Sequence, residues 1–373
     1  MIDFIFLNEP DMINAGVTDI AACINVMEET LILLAQGDYR MAGQDSNSHG
    51  AMITFPARPP FPGMPADGPD RRFMAMPAYL GGRFNNTGVK WYGSNAENRM
   101  GGLPRSIHTF VLNDTRTGAP KALMSANLLS AYRTGAVPGV GVKHLAVENA
   151  TTLAVIGPGV MGRTITEACL ALRPGITTIK IKGRSAKGTD EFTTWATAKY
   201  PGVTVETAQS VEAAVAGADI VVAATTTDAA GSAAFPYFHK DWLKPGALLL
   251  LPAAARFDDS FLTGEARLVV DYMGLYNAWA EEYGTSAYQL LGIPGTHWQD
   301  LIRTGVLEQN RVRQMGDICQ GILPARLNNE EIILYSIGGM PVEDVAWATQ
   351  VYDNAMRRGI GTTLNLWEEP ALM

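Results

Sequence analysis

The sequence predicts an α/β protein whose second half forms a doubly wound parallel sheet. Three observations predict it. From Thr151 onward, short apolar runs alternate with helical patterns. One of those runs, Thr152 to Ile156, leads straight into Gly157-Pro158-Gly159-Val160-Met161-Gly162 and then into a helix. The residues before position 130 read differently, as antiparallel strands with one helix. Parallel strands joined by helical crossovers make a doubly wound sheet.

The elements follow in order. A short strand precedes a helix from Asp19 to Gln36, where Ile20, Cys23, Ile24, Met27, Leu31 and Leu34 recur at helical spacing. Residues 38–72 read as extended strand plus loop, and the six prolines between Pro56 and Pro69 demand a loop. Strands are expected at Arg72 to Leu80, Gly88 to Gly93, Ile107 to Leu112 and Pro120 to Met124, with a turn over Asn113 to Gly118. Ser125 to Leu145 reads as helix interrupted by Gly135, Pro138 and Gly139.

In the second half, strand Thr152 to Ile156 precedes helix Val160 to Leu172. Strand Thr178 to Lys182 precedes a helix from Asp190 to Lys199. Strand Val203 to Thr207 precedes helix Ser210 to Ala216. Strands then recur at Ile220 to Ala224, Ala247 to Leu251, Leu268 to Val270 and Glu331 to Tyr335, and the last helix is Pro341 to Arg358.

Bulk properties exclude several classes. The 373 residues leave room for two domains, and 47% hydrophobic with 18% charged reads as globular and soluble. The net charge of −8 argues against a nucleic-acid groove, which needs clustered Lys and Arg. No apolar run spans a bilayer, so no membrane partner is expected. The first residues lack a basic, then apolar, secretion signal. Cys23, Cys169 and Cys319 are odd in number and far apart, which fits a reduced cytoplasmic protein. Neither they nor His49, His108, His144, His239 and His297 show metal-ligand spacing, so no metal is expected.

The glycine fingerprint carries the first functional expectation. Gly157 permits a tight turn, Gly159 lets the backbone approach a pyrophosphate, and Gly162 lets the helix pack on the strand. The helix N-terminus, with Pro158, Val160 and Met161 in the loop, offers free N–H groups to phosphates. A nicotinamide dinucleotide is therefore expected. At the end of the second strand an NAD enzyme usually carries Asp or Glu, but this chain reads Lys182-Gly183-Arg184-Ser185. Arg184 and Ser185 suit a 2′-phosphate, which favours NADP with NAD as the alternative. Thr225-Thr226-Thr227 either line the cofactor groove or simply end a strand.

Two cations stand out before the fingerprint. Lys90 lies inside an apolar strand, and Arg133 lies in a helix of small residues. A buried cation needs an anion, and a substrate carboxylate would supply one. The alternatives are an edge-strand lysine facing water and an arginine in an internal salt bridge. His108 starts a strand close to Arg105, and Glu343-Asp344 most simply favour a helix dipole.

At this point the chain resembles the ornithine cyclodeaminase/mu-crystallin family over nearly its whole length. The segments that carry the resemblance are Gly88-Val89-Lys90-Trp91, Leu112-Asn113-Asp114 through Pro120, Tyr132-Arg133-Thr134-Gly135-Ala136, Val142-Lys143-His144-Leu145-Ala146, the fingerprint, and Ile337 to Val345. Ala75 to Gly82, Lys90 to Ser94 and Gly359 to Leu366 resemble one branch most. That branch oxidises N-(2-amino-2-carboxyethyl)-glutamate and releases 2-oxoglutarate and diaminopropionate.

The resemblance implies a Rossmann doubly wound sheet inserted in an α+β substrate and dimerisation domain. Residues 1–130 plus 338–373 would form the latter, and 131–337 the NAD(P)-binding domain. It also implies a homodimer acting on a small amino-acid substrate. Lys90 and Arg133 match positions that hold the substrate carboxylate. Thr134, Ser336 and Gly338 match positions beside the cofactor. The implied chemistry is hydride transfer at the C–N bond of an amino acid or N-substituted amino acid, through an imine that water can hydrolyse. An imine reductase, a cyclodeaminase with recycled cofactor and a non-catalytic NADP-binding protein are the competing readings.

Two departures from the family pattern matter. Cyclodeaminases carry Asp-x-Pro-Gly-Lys after the fifth strand, where this chain reads Pro252-Ala253-Ala254-Ala255-Arg256-Phe257-Asp258-Asp259. Asp258 and Asp259 are the candidates to replace that acid, and ornithine cyclisation is not expected. A basic position near residue 44 is Gln44 here.

Overall fold

The computed structural model describes residues 1–225 and 231–372; among those singled out above, Thr226 and Thr227 lie outside the described residues. The chain runs β1 (Ile2–Leu7), α1 (Glu9–Asn14), α2 (Ile20–Gln36), β2 (Tyr39–Met41), β3 (Ala51–Thr54), β4 (Arg72–Leu80), β5 (Asn86–Ser94), β6 (Ser106–Asp114), β7 (Pro120–Ser125) and α3 (Asn127–Leu145). It continues with β8 (Thr152–Ile156), α4 (Val160–Leu172), β9 (Thr178–Lys182), α5 (Ala186–Lys199), β10 (Thr204–Thr207), α6 (Val211–Val215), β11 (Ile220–Ala223) and β12 (Leu248–Leu251). Then come α7 (Asp259–Thr263), β13 (Arg267–Val270), α8 (Met273–Tyr283), α9 (Ala287–Leu291), α10 (Pro294–Arg303), β14 (Val312–Gln314), α11 (Met315–Cys319), β15 (Ile333–Ser336), α12 (Pro341–Arg358) and β16 (Thr362–Trp367).

Two compact units result. One holds Met1–Asp19, Gly37–Arg133 and the chain from Met340; the other holds Ile20–Gln36 and Thr134–Gly339. Helix α2, expected with the first part of the chain, belongs to the second unit.

The first unit is built on a sheet ordered β16-β1-β7-β6-β5-β4-β2, with β3 also pairing β4. All pairs are antiparallel except β1 with β7. Side chains alternate across such a strand. In β5 this turns Gly88, Lys90 and Tyr92 inward and Trp91 outward. Helix α12 covers the inward face of β4, β5 and β6, and the indole of its Trp347 donates to the Val17 carbonyl at 3.1 Å. The strand β16 and the helix α1 have no counterpart in the sequence reading.

The second unit is an eight-stranded sheet ordered β10-β9-β8-β11-β12-β15-β13-β14. Every pairing in it is parallel. Strand β8 lies between β9 and β11, so the order reverses at its carboxyl end, where such sheets bind ligands. Strands β8, β11, β12 and β15 are buried almost throughout, as both-face coverage requires.

Helix α3 corrects one expectation. Gly135, Pro138 and Gly139 do not interrupt it; the helix is continuous with Pro138 inside. Its glycines mark close approaches. A Cβ on Gly135 would sit 2.5 Å from the Thr164 Cβ of α4, and one on Gly139 2.7 Å from Ile24 of α2. Tertiary contact outweighs the weak helix propensity of glycine. Gly135→Val is expected to lower stability by about 1–3 kcal/mol through overpacking. Urea denaturation would measure this, and a wild-type midpoint would refute the packing role.

Candidate active site

Around Lys90 the first unit buries four charges. Lys90 comes from β5, Arg133 from α3, and Glu343 with Asp344 from the first turn of α12. The Lys90 Nζ meets one Asp344 oxygen at 2.8 Å. The Arg133 Nε meets the other at 3.0 Å, and the Arg133 Nη1 meets Glu343 at 2.6 Å. All four side chains are almost fully buried. The cluster holds two positive and two negative groups, so it is neutral as a whole.

Each sequence alternative receives an answer. Lys90 is not an edge-strand residue facing water, because β5 is paired on both sides by β4 and β6. Arg133 does make an internal salt bridge. Glu343 and Asp344 are more than dipole partners: they are the counter-ions of both cations. The clue lay in their setting, two acids flanked by Val342 and Val345 on a helix whose start is wholly buried.

The cluster still offers donors. An ammonium has three N–H groups and a guanidinium five. Lys90 uses two, to Asp344 and to the Ser130 hydroxyl at 3.3 Å. Arg133 uses Nε and Nη1, and no hydrogen bond is made by its Nη2 among the described residues. Burial, with Arg133 beside it, lowers the Lys90 pKa to about 8 despite Asp344. Burial opposes ionisation of Asp344 and of Arg133, but their mutual attraction outweighs it, so Asp344 titrates below and Arg133 above its ordinary range.

Two histidines not selected from the sequence feel the same charges. His108 lies on the face of Lys90, with its ring edge-on to Tyr92 at 4.7 Å. Its buried Nδ1 has no hydrogen-bond partner among the described residues. Burial and the Lys90 charge hold His108 neutral, with a pKa of about 4; burial, with the charges of Lys90 and Arg133, does the same to His49, at about 3.

In the second unit the glycine loop meets all three requirements of a pyrophosphate cradle. Gly157 has a φ of 108°, and a Cβ there would lie 2.6 Å from the Ala224 carbonyl oxygen. A Cβ on Gly159 would meet nothing within 4 Å, which leaves the space a phosphate needs. A Cβ on Gly162 would lie 2.1 Å from the Gly157 carbonyl oxygen, so only glycine lets α4 start there. Gly159 precedes α4 without a side-chain cap, and Val160 is exposed. Pro158 and Met161 are partly exposed in the same loop. Beside it, the Thr225 hydroxyl is buried with no hydrogen-bond partner among the described residues. These features fit a dinucleotide.

The remaining expected residues fall as follows. Ser185 caps α5, accepting from the Gly188 N–H at 3.3 Å, and Arg184 is exposed beside it. Helix α5 therefore begins at Ala186, earlier than expected. Thr134 is partly exposed on α3. Ser336 is fully buried and accepts from the Gly295 N–H at 2.8 Å. The Gly338 N–H donates to buried Asp271 at 2.7 Å. Asp258 accepts from the Tyr237 hydroxyl at 2.6 Å, and Asp259 meets His297 at 2.7 Å. Lys90 and Arg133 are thus brought together on one carboxylate, whereas Asp258 and Asp259 belong to the second unit.

A doubly wound dinucleotide-type sheet with a separate sheet unit holding a buried cation pair defines a class of NAD(P)-binding two-unit proteins. The chain belongs to the ornithine cyclodeaminase/mu-crystallin family, whose model matches residues 16–359. It is similar to the N-((2S)-2-amino-2-carboxyethyl)-L-glutamate dehydrogenase of Staphylococcus aureus, at 26% identity over 98% of this chain and 99% of that one. A Delta(1)-pyrroline-2-carboxylate reductase of Bacillus cereus is 30% identical over 71% of this chain and 76% of its own. The solved structure of an archaeal alanine dehydrogenase dimer with bound NAD shares the fold. It has a TM-score of 0.76 and 24% identity, and the match covers 98% of this chain and all of that one.

Asp344 holds both cations, so Asp344→Asn leaves buried positive charge uncompensated. A loss of about 3–5 kcal/mol is expected, measured by thermal or urea unfolding. A loss below about 1 kcal/mol would contradict the shared role of this carboxylate.

Proposed function

We propose that this protein is an NAD(P)-dependent oxidoreductase acting on the C–N bond of an amino acid or an N-substituted amino acid. The observation that carries the reading is the buried Lys90–Asp344–Arg133 cluster, which keeps spare donors after its internal ion pairs are made. Those donors suit a substrate carboxylate. The near full-length similarity to a dehydrogenase of N-((2S)-2-amino-2-carboxyethyl)-L-glutamate favours a substrate in which a secondary amine bridges two amino acids.

The unit of Met1–Asp19, Gly37–Arg133 and Met340–Met373 serves as the substrate and dimerisation domain, and the unit of Ile20–Gln36 and Thr134–Gly339 as the dinucleotide domain. The glycine loop Gly157–Gly162 and Thr225 hold the dinucleotide, with Thr134, Ser336 and Gly338 beside it. Arg184 and Ser185 favour a 2′-phosphate and hence NADP, with NAD as the alternative. When bound, the nicotinamide supplies hydride chemistry at its C4. The chain's own share is orientation and electrostatics. Lys90 and Arg133 clamp the carboxylate, and Glu343 with Asp344 fix the guanidinium plane. In the reducing direction the Lys90 ammonium is a candidate to give the amine its proton; in the oxidising direction the proton passes to an ionised carboxylate, for which Asp258 and Asp259 are the candidates. The imine so formed is open to hydrolysis by water. The same clamp holds an imine carboxylate in the reducing direction, the activity of the Bacillus cereus relative. The reading places the protein in the cytoplasm, where Cys23, Cys169 and Cys319 stay reduced.

The test is a panel of amino acids and N-carboxyalkyl amino acids, each with NAD and NADP. Nicotinamide absorbance reports turnover, and mass spectrometry identifies products. Reduction of added dinucleotide by a panel member is expected. Lys90→Met and Arg133→Leu are each expected to lower kcat/KM by about 100-fold, the loss of a charge-assisted contact. Intact turnover in both variants would remove the clamp from the mechanism.

Lys90 is cationic below about pH 8 and neutral above it. Substrate affinity is therefore expected to weaken as the pH rises through about 8, seen as a rising KM with a steadier kcat. Lys90→Arg does not titrate in this range and should flatten that limb. A limb unchanged in Lys90→Arg would assign it to another group.

The active assembly is a homodimer. On the outward face of the first sheet, Ile53, Phe73, Trp91 and Ile107 are all exposed. Ile53, Phe73 and Ile107 lie in one cross-strand row through Gly93, and Phe73 stacks on Trp91 at 5.8 Å. An exposed apolar cluster of this kind marks an interface. Trp91→Glu with Phe73→Glu should convert a dimer to a folded monomer in light scattering coupled to gel filtration. An unchanged mass would move the interface elsewhere.

A further inference from the structure

Outside the proposed active site, the second unit brings together three metal-binding side chains that lie far apart in sequence. Glu28 is on α2, His144 is in the last turn of α3, and Cys319 ends α11. One ligand atom from each lies within 4.8 Å of the others. The His144 Nε2 already sits 2.5 Å from one Glu28 oxygen, and Lys143 meets the other. All three groups are partly exposed, so an ion can reach them.

The structure assigns this cluster as a Zn2+ site, independent of the substrate and cofactor reading. The donors are one carboxylate oxygen, one imidazole nitrogen and one sulfur, a set that suits zinc and disfavours Mg2+ and Ca2+. Ligand atoms on one tetrahedral zinc lie about 3–4 Å apart, so the observed spread closes with small side-chain rotations. On binding, the thiol of Cys319 gives up its proton to solvent, and the His144 Nε2 that faces Glu28 gives up its own, leaving the neutral ring protonated on Nδ1 and Nε2 free to ligate the metal. Lys143 stays on the second Glu28 oxygen as a supporting contact, the arrangement that fixes a metal-bound carboxylate. A water completes the fourth position. The metal would tie α2 to α3 and α11, three segments that no covalent link joins. Its role is structural: three protein ligands on three helices act as a staple.

The test uses the full chain, stripped with chelator and then exposed to equimolar Zn2+ and desalted. One zinc per chain is expected by elemental analysis. Cys23 and Cys169 are fully buried, so Cys319 is the thiol that reacts in the folded protein, and zinc should slow its modification at least tenfold. His144→Ala and Cys319→Ser should each weaken zinc at least tenfold in a chelator competition while leaving dinucleotide binding unchanged. Co2+ gives a readout that needs no variant: a thiolate-to-cobalt charge-transfer band should appear in the wild-type protein. Absence of retained zinc, equal retention by both variants, or a cobalt spectrum without that band would each overturn the site. Glu28, Lys143 and His144 would then form an ion-pair cluster only.

Discussion

The carboxylate of Asp344 is the point on which the first unit depends. It accepts Lys90 on one oxygen and Arg133 on the other, fully out of water. Charges so buried persist only when paired and hydrogen-bonded. Three elements distant in sequence, β5, α3 and α12, are therefore held to one arrangement. Packing alone would tolerate small slips of α12 over the sheet. The directional ion pairs do not, and they fix where Lys90 and Arg133 can present their remaining donors.

The strand alternation of β5 gives this cluster a second consequence. Lys90 points inward and its neighbour Trp91 outward, so one strand serves two faces. The inward face holds the charges under α12. The outward face carries the exposed aromatic cluster. A period of two residues thus separates a polar site from an apolar surface within a few ångströms of chain.

Several elements of both units were legible in sequence. Strands Thr152–Ile156 and Thr178–Lys182, and helices Val160–Leu172 and Pro341–Arg358, coincide with their apolar patterns. Periodicity reports such elements because one face is buried over several turns. Elsewhere local rules misled. Gly135, Pro138 and Gly139 read as breaks, yet the helix runs through Pro138, and Gly135 and Gly139 are where α4 and α2 approach α3. The region from Asp259 to Cys319 contains α7 to α11, which the sequence reading did not assign. In the site, Lys90 and Arg133 were visible as misplaced cations. Their partners were not, because Glu343 and Asp344 at a helix start satisfy a local rule equally well. His108 stood out only as a residue at a strand start near Arg105, and His49 gave no signal, since a neutral imidazole beside a charge has no pattern of its own.

By itself, the sequence determined the strand–helix alternation that opens the doubly wound sheet, the glycine loop and its phosphate geometry, and the lack of an acid at the end of the second strand of that sheet. It also carried the family resemblance, and with it the missing cyclodeaminase aspartate. These are local properties: turn chemistry, periodicity and the identity of residues within one element. Only the tertiary structure decided which charges neutralise one another, and which side of β5 faces α12. It alone brought Glu28, His144 and Cys319 together. Such pairings depend on distances between segments hundreds of residues apart, and no spacing along the chain encodes them. The cost of leaving a buried charge alone is what selects them, and that cost exists only once the chain has folded.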